Sequence, residues 1–237
     1  TKSEMNRFLK DLIRGGEKQK VDFKYCINDS RKIARTLSAF ANTEGGILLL
    51  GVRDNGSIAG VNSEEEYYMI ETAARIYCRP EVPVAISQYL VNGKTVIGVE
   101  VEKGDKRPYK AKSDDGSWKA YYRNNDQNLV AGRVLLKLWN LSERKSGVMI
   151  RFGKAERLLL DYLRHNEYIS LSAFRRIARL PSYRAEKIIA GLLSCGVLAM
   201  DASEKGYLYR LSHDPADEAI TGEEEAGKKG VSQSLFP

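Results

Sequence analysis

With 237 residues, 43% hydrophobic side chains and a net charge of +7, the chain can bury a core in one large domain or two small ones and is not globally disordered. No apolar run approaches the roughly 18 residues of a membrane span, and the N-terminal stretch carries no signal-peptide pattern. Three widely spaced cysteines, Cys26, Cys78 and Cys195, argue against a zinc motif or a disulfide framework and fit a reducing cytosol, so a cytoplasmic protein with no membrane association is expected.

The charge is not spread evenly. Residues 1–142 hold 23 Lys and Arg against 18 Asp and Glu, a net +5. Residues 143–212 hold 13 against 7, a net +6, and residues 213–237 hold 2 against 6, a net −4. The densest positive charge therefore lies near the C-terminus. Such an excess can be a plain solvated surface, but a concentrated basic patch also attracts phosphate backbones.

The elements follow in chain order. Residues 3–14 have helical spacing, with Met5, Phe8, Leu9, Leu12 and Ile13 on one face, Ser3 as cap and Gly15-Gly16 as stop. Val21–Tyr25 is a strand. Ser30–Thr43 is a helix with Ile33, Leu37 and Phe40 inward, and Gly45-Gly46 releases a strand over Ile47–Arg53. Asp54-Asn55-Gly56 predicts a type I′ turn, because Asn and Gly tolerate positive φ, and Ser57–Val61 returns as the partner strand. Glu64–Tyr77 is a third helix, ended before Pro80. Val84–Val91 and Lys94–Val101 form a hairpin about Asn92-Gly93. Tyr109–Lys112 and Ala120–Arg123 pair about Asp114-Asp115-Gly116, and Asn128–Leu141 closes the unit as a helix. Hairpins mixed with helices predict an α+β domain over residues 1–142, not a doubly wound parallel sheet.

Ser142–Gly147 is polar and reads as a linker. Gly153–Asn166, Ser170–Leu180 and Ser182–Ser194 follow as helices, then Val197–Met200 and Tyr207–Leu211 as a hairpin about Glu204-Lys205-Gly206. Three helices and a hairpin are the order of a winged helix, expected over residues 143–212. Residues 213–237 are acidic and Gly-rich, then polar, and are expected to be disordered.

Three segments carry a resemblance. Gly16-Glu17-Lys18-Gln19-Lys20-Val21-Asp22-Phe23-Lys24 is similar to an E-x-x-x-x-E-F-K entry motif. Ala39-Phe40-Ala41-Asn42-Thr43-Glu44-Gly45-Gly46, running on to Gly51-Val52-Arg53-Asp54-Asn55-Gly56, is similar to A-F-A-N-T-x-G-G followed by G-V-x-D-x-G. Arg107-Pro108-Tyr109 with Tyr122-Arg123-Asn124 is the third. On these motifs the chain resembles the AlbA-like domain shared by bacterial regulators and the Schlafen proteins. The resemblance implies a mixed sheet with flanking helices and, beside a winged helix, a DNA-binding transcriptional regulator. Mammalian Schlafens resemble two such lobes in one chain, which implies a homodimer for this single lobe.

The resemblance also marks Glu17, Asp22 and Asp54. In some Schlafen proteins three acidic residues at these motif positions support metal-dependent RNA cleavage, and clustered carboxylates suit Mg²⁺ or Mn²⁺. Here Asp22 stands where the family has Glu, one methylene longer. Glu17 and Asp22 are five apart, so they share a site only if Glu17 precedes the strand on a turn. The alternatives are ion pairing with neighbouring lysines and, for Asp54, plain turn chemistry. Outside the nuclease reading no metal or cofactor is expected, and no P-loop motif is present to support nucleotide hydrolysis.

For nucleic acid, with DNA the first expectation and RNA the alternative, the candidates are Lys24, Arg31, Arg35, Arg107, Lys110 and Arg123 in the first domain. In the second they are Arg175, Arg176 and Arg179 on its second helix, Tyr183, Arg184 and Lys187 at the start of the recognition helix, and Lys205 on the wing. Basic residues interleaved with Tyr109, Trp118, Tyr121 and Tyr122 can bind phosphates and stack on bases, or can be ordinary sheet packing.

Overall fold

The computed structural model describes residues 2–142, 153–203 and 206–212. The chain divides into two compact units, residues 1–145 and 146–237. The expected linker after Ser142, the turn at Glu204-Lys205 and the acidic segment 213–237 lie outside the described residues.

The first unit begins with α1 (Lys2–Gly15), so Ser3 lies within the helix rather than capping it. Gly16, at φ +71°, ends it, and its N–H donates to the Ile13 carbonyl at 3.1 Å. A turn over Lys18–Val21 then leads into β1 (Val21–Lys24). The unit continues with α2 (Ser30–Asn42), β2 (Gly46–Leu50), α3 (Ser63–Arg75), β3 (Cys78–Arg79), β4 (Ala85–Val91) and β5 (Lys94–Val101). It closes with β6 (Lys110–Lys112), β7 (Trp118–Asn124), β8 (Gln127–Val130) and α4 (Arg133–Ser142).

The strands make two four-stranded sheets, in the orders β1-β2-β5-β4 and β3-β6-β7-β8. Only β1 and β2 run parallel, so the first sheet is mixed, as expected for an α+β domain. Side chains alternate across that sheet. Leu48, Leu50, Ile97 and Val99 share a core with Ile33, Leu37 and Phe40 of α2, while Phe23, Leu49, Tyr89 and Val96 share one with Leu9 of α1. Helix α2 also packs on β6 and β7, so both its faces are covered, and even Thr36, Ser38 and Asn42 are buried.

A polar clasp ties α2 to the second sheet. Asn42 Nδ2 donates to the carbonyls of Tyr109 and Tyr121, both at 2.7 Å, and its Oδ1 accepts the Tyr109 N–H at 2.8 Å. Thr43 Oγ1 accepts the Arg123 N–H at 2.9 Å. Gly46 is needed here for space, since an added Cβ would stand 2.6 Å from the Phe40 ring. The A-F-A-N-T-x-G-G motif therefore does internal packing work.

Three expectations fail locally. Asp54-Asn55-Gly56 is not a type I′ turn: Gly56 alone of the three has positive φ, and Ser57–Val61 makes only a single bridge, Val52 to Ile58, instead of a strand. The type I′ geometry occurs at Asn92-Gly93, with φ of 51° and 75°. The expected helix 128–141 is split, because β8 pairs with β7 from Tyr121–Val130 to Asn124–Gln127, and α4 starts only at Arg133.

The second unit runs α5 (Lys154–His165), β9 (Ile169–Ser170), α6 (Leu171–Ala178), α7 (Ser182–Ser194), β10 (Leu198–Ser203) and β11 (Gly206–Leu211). Its antiparallel sheet has the order β10-β11-β9. Leu159, Leu163, Ile169, Phe174, Ile189, Leu192, Leu198 and Tyr209 are its buried side chains of greatest size. Ser170 caps α6 by accepting the Ala173 N–H at 3.2 Å, and Arg179, at φ 51°, ends that helix before α7 begins.

Candidate nucleic-acid interface

The first-motif carboxylates sit where β1 meets α2 and β7. Glu17 lies on the turn ahead of β1, as convergence with Asp22 requires, and its Oε1 accepts the Phe23 N–H at 2.8 Å. Asp22 is 3% exposed. Its Oδ1 accepts from Arg123 Nη2 at 3.2 Å, and its Oδ2 lies 3.1 Å from Lys24 Nζ and 3.4 Å from Thr36 Oγ1. Burial pushes the Glu17 carboxyl above its usual range and neighbouring Asp22 adds to the rise, against the Phe23 N–H and Lys24, which pull it down. Glu17 and Asp22 are thus brought together, around a lysine and an arginine. Asp54 is exposed on its turn, and among the described residues no three or more His, Cys, Asp or Glu side chains are grouped to hold a metal ion.

Arg123 requires a correction. It was a natural candidate for phosphate contact, but it is 2% exposed and its donors are all directed inward. Besides Asp22 it reaches the Val21 carbonyl at 3.0 Å, the Lys18 carbonyl at 3.2 Å and Asn128 Oδ1 at 3.0 Å. The planar guanidinium serves as a clamp between β7 and the turn before β1.

The other basic candidates of this unit are partly neutralised by their own chain. Arg31 makes two hydrogen bonds to Asp29, both at 3.2 Å, and Arg35 donates to Asp114 at 2.6 Å. Lys24 is held by Asp22 and by the Phe23 carbonyl at 2.7 Å. Arg107 is half-buried, with a buried Nε that has no hydrogen-bond partner among the described residues. Lys110 is exposed and has no ion pair among the described residues. Tyr121 is core, 7% exposed, with its hydroxyl 2.9 Å from Ser113 Oγ. A residue that no motif in the sequence marks, Arg79, joins Lys110 as its cross-strand neighbour and lies over the Trp118 ring at 4.2 Å. The only local signal was its position before Pro80; its sheet partners are thirty or more residues away in the chain.

In the second unit the basic candidates lie on the surface. Arg175 and Arg176 on α6, Arg179 at its end, and Arg184 and Lys187 on α7 are all exposed. None of these five cations has an ion pair or side-chain hydrogen bond among the described residues. Tyr183, 67% exposed, stands beside Arg184 at the start of α7, and Arg184 and Lys187, three apart, share a side of the helix. The opposite side of α7 is the core side, with Ala185, Ile189 and Leu192 buried. Lys205 lies outside the described residues.

Residues 17–131 match the model of the family described as Schlafen, AlbA_2. No curated protein matches the chain. Among solved structures, the chain is similar to the N-terminal domain of an ATP-dependent DNA helicase RecG-related protein from Nitrosomonas europaea. The identity is 23% and the TM-score 0.39, over 52% of this chain and 94% of that one. It is similar also to the DIP2311 protein from Corynebacterium diphtheriae, at 18% identity and a TM-score of 0.43, over 80% of this chain but only 34% of that one.

Proposed function

We propose that this protein, whose residues 17–131 match the Schlafen, AlbA_2 family model, binds nucleic acid, that its second unit is a winged helix docking on duplex DNA, and that it acts in the cytosol as a transcriptional regulator. The carrying observation is the set of exposed cations on α6 and the start of α7 that have no ion pair among the described residues. The order α5-β9-α6-α7-β10-β11, with β11 between β9 and β10, supports the winged-helix reading, in which α7 is the recognition helix. Its N-terminal side chains then enter the major groove, where Arg184 suits guanine and Lys187 suits phosphate. Arg175, Arg176 and Arg179 lie along the backbone. Helix-turn-helix units commonly bind as twofold pairs on half-sites one turn apart, so the proposal includes a homodimer. Light scattering at micromolar concentration should give twice the chain mass.

The test is binding of the full chain to a labelled DNA duplex by fluorescence anisotropy. Replacing Arg184 and Lys187 together by Ala should weaken binding at least tenfold at low salt, because two cations on one helix side are lost. Equal binding by wild type and variant would overturn the reading.

Metal-dependent RNA cleavage is the second reading, favoured by the adjacency of Glu17 and Asp22. The residues do not fit a Mg²⁺ or Mn²⁺ site as they stand. Both Asp22 oxygens are engaged by cations of the chain itself, and no third carboxylate completes a group among the described residues. Added Mn²⁺ should therefore leave the melting temperature unchanged, and Asp54→Asn should be silent, since Asn also suits that turn position. A Mn²⁺-dependent rise in melting temperature that Asp54→Asn removes would promote this reading above the first.

A further inference from the structure

The outer face of the second sheet carries a surface distinct from the α6–α7 cations. Arg79 pairs with Lys110 across β3 and β6, and Lys112 pairs with Trp118 across β6 and β7. Directly paired residues share a face, as do residues two apart on a strand, so Arg79, Lys110, Lys112 and Trp118 all lie on one side. The opposite side, with Cys78, Ala111 and Tyr121, is buried against α2. Arg79 and Lys110 are exposed, and Lys112 and Trp118 are half-buried.

Two features set this face apart from an ordinary solvated sheet. Like charges directly opposite one another repel, yet Arg79, Lys110 and Lys112 have no ion pair among the described residues. The nearby acids are engaged elsewhere, Asp114 with Arg35 and Asp115 with Lys119. The second feature is the Arg79 guanidinium lying 4.2 Å over the Trp118 ring, which makes an aromatic and cationic platform in the middle of the positive charge. Phosphates relieve the repulsion, and a base stacks on such a platform. Duplex DNA keeps its base faces within its own stack, so the aromatic group selects a strand with free bases.

We propose that Arg79, Lys110, Lys112 and Trp118 form a binding surface for single-stranded nucleic acid, separate from the duplex surface of the second unit. Arg79, Lys110 and Lys112 take the phosphates, and Trp118 with Arg79 takes a base. The proposal does not rest on the winged-helix reading, since it concerns the first unit alone.

The protein has two tryptophans, and the other, Trp139, is buried at 4% exposure. Trp118 fluorescence in the full chain therefore reports on this face. A single-stranded oligothymidylate or oligouridylate should quench it at low salt, and a duplex of equal length should not. Trp118→Phe should remove the quenched component, and Lys110→Ala with Lys112→Ala should weaken single-strand binding about tenfold or more. Arg184→Ala with Lys187→Ala should leave the quenching intact while lowering duplex affinity, so failure here and failure of the duplex reading are distinguishable. Thymidylate and uridylate strands, compared side by side, report whether DNA or RNA is preferred. The proposal is overturned by absence of quenching at low salt. Equal quenching by polyglutamate would overturn it too, showing a general polyanion or acidic-protein surface, as would loss of quenching in the Arg184 and Lys187 variant.

Discussion

At the scale of single residues, the first motif is organised around buried charge. Asp22 and Arg123 are each at most 3% exposed and bonded to each other at 3.2 Å, so loss of Asp22 would leave the buried guanidinium uncompensated, and loss of Arg123 would leave the buried carboxylate with Lys24 alone. Arg123→Ala should cost about 3–5 kcal/mol, read from the urea midpoint, while folded variant should bind duplex DNA as wild type does. A stable variant with weakened DNA binding would return Arg123 to the interface. Glu17 makes a separate prediction through pH. Its carboxyl titrates above the ordinary value of 4.5 in the folded state, so its contribution to stability is full below that value and is lost as pH rises through the folded pKa. Gln keeps the acceptor for the Phe23 N–H but carries no charge. Glu17→Gln should therefore melt higher than wild type at pH 7, with the gap closing as pH falls below 4.5. A gap independent of pH would contradict the assignment. The cation clamp on Asp22 was not legible beforehand, because Arg123 stands 101 residues away in the chain.

At the scale of elements, legibility followed the range of the cause. Asn92-Gly93 makes its turn from two residues that tolerate positive φ, a local property, and the hairpin it joins was readable. The segment 127–130 carries no strong period, and β8 exists because β7 offers it a partner, a contact that propensity does not encode. The A-F-A-N-T-x-G-G motif announced the end of a helix correctly, but not the reason for its Asn. Asn42 satisfies one N–H and two carbonyls buried between α2 and the second sheet. Asn42→Ala should cost about 2–4 kcal/mol, since each orphaned buried group costs roughly 1–3 kcal/mol. Thermal melting checks this, and a loss near zero would mean that the clasp is dispensable.

At the scale of the whole molecule, charge and topology point the same way. The residues 143–212 carry the densest positive charge, and the cations on α6 and α7 face outward while the apolar side of α7 is buried. That division was legible because helical spacing sets both sides of a helix at once. In the first unit spacing could not show which cations are already paired, so Arg31, Arg35 and Arg123 read as surface contacts while Arg79 went unmarked. The central claim is that exposed cations of the second unit hold duplex DNA through its phosphates. The most direct measurement is the affinity of the full chain for a DNA duplex as a function of salt. The logarithm of the binding constant should fall linearly with the logarithm of salt concentration, with a slope of about −0.9 for each phosphate neutralised. Replacing Arg184 and Lys187 by Ala should make that slope shallower by about 1, for the phosphate that Lys187 neutralises. A wild-type affinity that does not change with salt, or a slope that is the same in the variant, would contradict the account.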